Sequence, residues 1–433
     1  MQQGRCTHPT HPSPQHTSIT PYAHREMARK EISPETLAFI EEHAEDNVQA
    51  LALRATRYPK VNMSTAIVQI AARQTARTKL PTWWKIAGIR YPHHLSMEQC
   101  SSEVTALYKA TLIPEGMKRE RITDLSGGFG VDFACMARGF ERATYVERQD
   151  ELCALAEHNM PLLGLPHAEV VNADSVKYLQ EMERQSVIFI DPARRDTKGR
   201  KTVLISDCEP DISRLQQTLM EKAERVIVKL SPMLDISLAL EQLQCVSEVH
   251  VVAVKGECKE LLLVMEADAN SANARIVCTN LPASVPAEWP APFCFTRQEE
   301  ENSTYPVATE IKRYLYEPNG VLMKAGAFRT VASHYGVEKL HPNSHLYTSN
   351  QCLREFPGRV FEVMAYGGFG KREVKEMLTS VKRANVTVRN FPDSVAELRK
   401  RFKLPEGGDD YLFATTLSKG NKVWILCRKA TEG

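Results

Sequence analysis

The sequence predicts an α/β protein with a Rossmann-like open parallel sheet, on three observations. First, an apolar run meets a glycine cluster and a helix start in Arg121-Ile-Thr-Asp-Leu-Ser-Gly-Gly-Phe-Gly-Val-Asp132. Second, four successive apolar runs each end at an acid: Asp124, Glu147, Asp174 and Asp191. Third, segments of helical length separate these runs, as parallel strands joined by crossovers require.

At the first turn, Gly127, Gly128 and Gly130 let backbone pass close to a ligand, where a side chain would collide with it. The helix start behind them offers unpaired N–H groups to an anion. A dinucleotide fingerprint would place a third glycine where Phe133 stands. Asp124, just before the glycines, instead suits a cationic cofactor. S-adenosylmethionine (SAM) carries an amino group and a sulfonium and fits that acid. The plainer alternative is a glycine-rich turn of an ordinary α/β domain.

The later elements weigh on that choice. Ala143 to Glu147 reads as a second strand, its acid about 20 residues past the glycines, where ribose hydroxyls would be gripped. Glu151 to Leu163 reads as a helix. Glu169 to Asp174 is a third strand, with Asp174 placed for an adenine amine. Ser186 to Asp191 is a fourth, running into Pro192-Ala193-Arg194-Arg195, and Val226 to Leu230 a fifth. Val249 to Val254 and Leu261 to Met265 flank the turn Lys255-Gly256-Glu257 as a closing hairpin. Ligand should bind beyond the carboxyl ends of the strands.

Asp-Leu-Ser-Gly-Gly-Phe-Gly-Val-Asp132 followed by Asp191-Pro-Ala-Arg-Arg195 resembles a bacterial group of class I SAM-dependent methyltransferases with a THUMP-like C-terminal domain. That group is loosely similar to RNA guanine-N2 methyltransferases. The resemblance implies SAM as cofactor, held by Asp124, Gly127, Gly128, Gly130, Glu147 and Asp174. It implies Asp191, Pro192 and Arg194 as the catalytic loop, with Asp191 orienting an amine. Amino methyltransferases of this class carry a second proline and an aromatic in the loop. Ala193 and Arg194 stand there instead, so base stacking falls to Arg194, Arg195 or Phe129. RNA 5-methyluridine enzymes place a cysteine after the fifth strand. Here that position reads Lys229-Leu230-Ser231-Pro232, with no thiol, and Cys208 lies elsewhere as a buried or incidental thiol. Ser231 reads as a helix cap.

The remaining chain frames this core. At 433 residues, 43% hydrophobic and 25% charged, it should hold two to four domains. A net charge of +2 confines any nucleic-acid contact to a local patch. Eleven cysteines without a C-x-x-C pair argue against zinc and disulfides and for a reducing, cytoplasmic setting. No apolar run is long enough to cross a membrane, and there is no signal peptide pattern.

Residues 1–30 read as a disordered, His- and Pro-rich extension, with Met27 a candidate natural start. Residues 31–115 read as a helical domain. Ser33-Pro34 opens a helix whose apolar spacing continues to Leu51, and a second helix covers Ser64 to Thr78. Trp83 and Trp84 beside Arg77 and Lys79 could stack on nucleic acid, but sealing this domain against the next is the favoured reading. Ser96-Met-Glu-Gln99 reads as a capping box for a helix to Leu112, its polar face either over the cofactor or solvated. The methyltransferase unit spans 116–270. Residues 271–340 read as a linker and a small ferredoxin-like module, with Ile311, Tyr314 and Leu315 at helical spacing. A THUMP-like module covers 345–433. Between Lys371 and Lys403, ten Lys/Arg face four acids, a candidate phosphate-binding face for tRNA or rRNA. Nothing indicates a DNA preference. A methyltransferase fold without catalysis that binds RNA, and a small-molecule or protein methyltransferase, remain the alternatives.

Overall fold

The computed structural model describes residues 31–194 and 204–430. The expectations for the N-terminal extension, Met27, Arg195 and the Arg194 side chain lie outside the described parts. Five parallel strands form the centre: β1 (Arg121–Asp124), β2 (Arg142–Glu147), β3 (Ala168–Asn172), β4 (Gln185–Ile190) and, after the short pair β5 (Ala193–Arg194) and β6 (Cys208–Glu209), β7 (Ala223–Leu230). β8 (Val246–Val254) and β9 (Glu257–Glu266) form the expected hairpin, and β9 inserts antiparallel between β7 and β8. β10 (Arg275–Leu281) and β11 (Phe293–Thr296) complete a nine-stranded sheet, order β11-β10-β8-β9-β7-β4-β1-β2-β3. The segment expected to be a linker therefore carries strand β10, flanked by the edge strand β11, because Ile276, Val277 and Cys278 supply enough apolar surface to pair with β8.

Helices cover both faces, which is why these strands read as continuous apolar runs. Along β4, Ile188 and Ile190 face one core, and Val187 and Phe189 face the other. The first core takes the helices Ile212–Lys222 and Ile236–Gln242, plus Tyr316, Val321 and Val331 from the C-terminal half. The second takes Val131–Met136 and Asp150–Leu162, together with Trp83, Met97 and Tyr108 of the helical domain. Trp83 is buried against Phe129, ring centroids 5.0 Å apart, so it seals the two units.

Within the helical domain, Ser33 caps Pro34–Glu42 as expected, but the chain then turns, and Asn47 starts a separate helix at Val48. The helix expected from Ser96 is also two: His94–Gln99 and Glu103–Ala110, the latter capped by Ser102. The break places the buried Ser101 within hydrogen-bond reach of Asp132 on the helix Val131–Met136. After β11, the spacing of Tyr314 and Leu315 proves to be strand, not helix: β12 (Tyr314–Pro318) pairs on both sides. With β13 (Glu338–Lys339), β14 (Tyr347–Ser349), β15 (Gly358–Gly368), β16 (Asn385–Arg389), β17 (Asp410–Thr416) and β18 (Lys422–Lys429) it builds a second sheet, order β13-β14-β12-β15-β18-β17-β16. Two helices, Lys371–Ser380 and Val395–Phe402, lie beside β15 and β16. Among the described residues no helix is long and apolar enough to cross a membrane.

Candidate active site

A cleft of about 1200 Å3 opens beyond the carboxyl ends of β1, β2, β3, β4 and β7. It straddles the point where strand order reverses between β1 and β4, the usual ligand position in such sheets. Asp124, Glu147, Asp174 and Asp191 all line it. Gly128 and Gly130 have φ of +58° and +81°, a left-handed conformation that favours glycine. Gly127 is required for a different reason than the expected ligand: a Cβ there would lie 2.3 Å from the ring of buried Tyr145. Tyr145 in turn donates its hydroxyl to the Gly128 carbonyl. Gly127→Ala should therefore cost about 1–3 kcal/mol through overpacking. Chemical denaturation checks this, and an unchanged midpoint would refute it.

Asp124 is buried, and its Oδ1 accepts from the Ser126 N–H (2.8 Å) and Oγ–H (3.1 Å). Ser126 Oγ also accepts from the Asp191 N–H (2.6 Å), tying the β1 and β4 turns together. Burial, opposed by the Ser126 bonds and helped by Asp132 and Asp191, pushes the Asp124 carboxyl up to about 8. Glu147 accepts from the Gly128 N–H (3.0 Å) and the Gln149 N–H (2.9 Å), so it braces the glycine turn. Asp174 is exposed and caps the helix Ser175–Glu181 through the Val176 and Lys177 N–H groups, both 3.1 Å from Oδ1.

Lys229, Asp132, Lys109 and Glu260, to which the sequence reading gave no role, form a charge cluster at and behind the cleft floor. Lys229 Nζ lies 2.6 Å from Asp191 Oδ2 and 3.3 Å from Asp132 Oδ2. Lys109, fully buried, lies 3.1 Å from Asp132 Oδ1 and 2.7 Å from Glu260 Oε1. Ser101 donates to Asp132 Oδ2 at 2.8 Å. Burial alone would raise the Asp132 carboxyl, but Lys109, Lys229 and Ser101 hold it down to about 2. For Glu260 burial prevails over the same two lysines, and its carboxyl is raised. A usable signal was present: Lys229 and Glu260 are isolated charges inside apolar strands, and buried charges demand partners.

Other expectations meet mixed outcomes. Pro192 is buried at the cleft wall. Phe129 is packed under Trp83 and Tyr91 and has no face free to stack on a base. Gln99 and Ser101 do border the cleft, so this polar stretch is not simply solvated. Ser231 caps a turn through Met233, while Asp235 caps the helix that follows. Cys208 is buried at the cleft edge.

Residues 314–357 match the model of a ferredoxin-like domain, and residues 358–429 that of a THUMP domain-like family. No functionally curated protein matches the chain. Among solved structures, a candidate methyltransferase from Porphyromonas gingivalis W83 is 37% identical, with a TM-score of 0.81; the match covers 91% of this chain and 97% of the other. An rRNA methylase from Streptococcus thermophilus is 12% identical, covers 37% of this chain and 94% of its own, and superposes with a TM-score of 0.28. A class I candidate methyltransferase from Listeria monocytogenes is 12% identical over 60% of this chain and 86% of its own, TM-score 0.35. Identity of 37% along almost the whole length of both chains, together with the ferredoxin-like and THUMP-like matches of this chain, shows that the chain belongs to the class I methyltransferase family that carries a THUMP-like domain.

Proposed function

We propose that the protein is a SAM-dependent methyltransferase that modifies a base nitrogen of tRNA or rRNA. The observation that carries the cofactor is Asp124. Lys109 and Lys229 neutralise Asp132, Asp191 and Glu260, whereas Asp124 has no cationic partner among the described residues. A buried carboxylate facing a large cleft, without a cation, calls for a ligand that brings positive charge. SAM fits that demand, and when bound it supplies an electrophilic methyl group on a sulfonium. Asp124 would face its cationic end, the glycine turn its backbone, Glu147 its ribose hydroxyls, and the free oxygen of Asp174 its adenine amine. Asp191 sits at the cleft floor, where it would hold the acceptor in line for attack.

RNA is favoured by the C-terminal module. Lys371, Lys375, Lys382, Arg383, Lys400 and Lys403 are exposed and have no carboxylate partner among the described residues. They gather on and around the helices Lys371–Ser380 and Val395–Phe402. Such a face neutralises phosphates without reading sequence. Calorimetric titration with SAM, followed by transfer of labelled methyl groups to bulk cellular RNA, tests the proposal. Micromolar SAM binding and methylated RNA are expected; label that enters only protein or small molecules would refute the RNA substrate. The paired charge reversal Lys375→Glu, Lys400→Glu should weaken RNA binding about tenfold at moderate salt and flatten its salt dependence by one to two phosphate contacts. Fluorescence anisotropy over a salt series measures both, and SAM affinity should stay unchanged.

A further inference from the structure

We propose that Lys229 and Asp191 together select a ring N–H beside a carbonyl, the lactam edge of guanine or uracil, as the methyl acceptor. The inference rests on the SAM-dependent RNA reading above. Lys229 has three N–H donors. Asp191 Oδ2 and Asp132 Oδ2 take two of them, at 2.6 and 3.3 Å. The third is left for the cleft that Lys229 lines. Asp191 is bound to the lysine through Oδ2 only, and no other residue among those described bonds to its Oδ1. The cleft floor thus presents one fixed donor beside one fixed acceptor. A lactam presents the complement, a carbonyl beside an N–H.

Charge separates this acceptor from the amine edges of adenine and cytosine, which can offer a similar hydrogen-bond pair. Asp191, Asp132 and Glu260 face Lys229; Lys109 lies behind the last two, and Asp124 and Cys100 border the same cleft. Burial would pull the Lys229 ammonium down, but the three carboxylates outweigh it and hold it well above its ordinary value. The lysine is therefore a permanent cation and not a base. An exocyclic amine gains positive charge as it attacks, which a fixed cation opposes. A lactam nitrogen gains negative charge as it loses its proton, and a cation on the neighbouring carbonyl oxygen stabilises that charge. In the step itself, the ring nitrogen forms the N–CH3 bond as the methyl–sulfur bond breaks. The electron pair of the broken bond stays on sulfur. The N–H proton passes to Asp191 Oδ1 and then to solvent at the cleft mouth.

The test begins with the methylated product. Bulk RNA methylated by the wild-type protein is digested to nucleosides and analysed by mass spectrometry. A methyl group on N1 of guanosine or N3 of uridine is expected, and one on guanosine N7 or on any adenosine or cytidine atom would overturn the inference. A methyl on any exocyclic amine or on carbon overturns the inference while leaving the RNA reading intact. Unmethylated RNA sinks both. Two variants then read the lysine directly. Lys229→Met should keep SAM affinity within about threefold by calorimetry, lose about 100-fold in turnover, and show a rate that climbs with pH because the acceptor must ionise unaided. Lys229→Arg keeps the cation and should retain about a tenth of the rate with the wild-type pH profile. A binding readout independent of turnover uses 5-fluorouridine monophosphate, whose ring N–H ionises more readily than that of uridine. It should bind the wild type more tightly than Lys229→Met, because the ammonium bonds its carbonyl oxygen. Equal affinity in wild type and Lys229→Met would overturn the assignment, and Lys229→Arg, which keeps the cation, should bind as the wild type does.

Discussion

Asp124→Asn should bind SAM at least 100-fold more weakly than the wild type and yet melt at a higher temperature. Both effects follow from one carboxyl. In the ligand-free protein its pKa is pushed up to about 8 by burial, against about 3.9 for an unfolded aspartate. The sign is that of a raised acid. Below about pH 4 both states are protonated and the group costs nothing. As pH rises from about 4 to 8 the unfolded chain ionises and the folded one resists, so stability is lost across that window and levels off above it. Asparagine keeps the acceptor for the Ser126 N–H and removes the ionisation. The gain in stability should be on the order of 5 kcal/mol near pH 8 and shrink towards zero near pH 4. Thermal melts of both proteins across that range measure it. The same group drives ligand binding in the opposite direction. A cationic ligand binds the ionised form, so wild-type SAM affinity should rise towards pH 8 with release of a proton, visible as a buffer-dependent binding enthalpy. The Asn variant should show neither effect. A 100-fold loss is about 2.7 kcal/mol, the scale of one desolvated charge contact. Unchanged affinity in Asp124→Asn would remove the cofactor assignment at its root.

Lys109→Met should be the more damaging change to the fold, at about 3–5 kcal/mol. Its ammonium ties the helix Glu103–Ala110 to the sheet through Glu260 and to the helix Val131–Met136 through Asp132, and also bonds Ser101 and the Thr105 carbonyl. Removing it leaves Glu260 buried without its cation and Asp132 dependent on Lys229 alone. The pair should be worth much less than the loss suggests. Lys109→Met combined with Glu260→Leu deletes both charges in similar volume and should recover more than half of the lost stability. Urea denaturation of the two single variants and the double variant closes the cycle. Additive losses would show that the two side chains do not interact.

These two residues also mark how legible the protein was. The parallel sheet, its closing hairpin and the four acids at strand ends could be read from local pattern. Strand period, glycine turns and acid positions are short-range properties, and the pairing order bears out the reading for β1 to β4, β7 and the hairpin β8–β9. The misread segments are those where local pattern is ambiguous. Ile311, Tyr314 and Leu315 suit a helix by spacing, but β14 and β15 lie on either side of Tyr314–Pro318, and long-range pairing decides for strand. Arg275–Leu281 sits among Ala, Asn and Pro and becomes a strand only because β8 offers an edge.

The candidate site divides along the same line. By itself the sequence determined that an acid-rimmed glycine turn opens a parallel sheet, and that a basic module follows it. Only the tertiary structure decided which acids are already neutralised. Asp132 and Asp191 share Lys229, which is 97 and 38 residues away in the chain, and Lys109 reaches the sheet from the preceding helical domain. Among the described residues Asp124 stands without a cation, because Lys109 and Lys229 are taken by other carboxylates. Ion pairing depends on distance in space and on burial, and neither is written in sequence spacing.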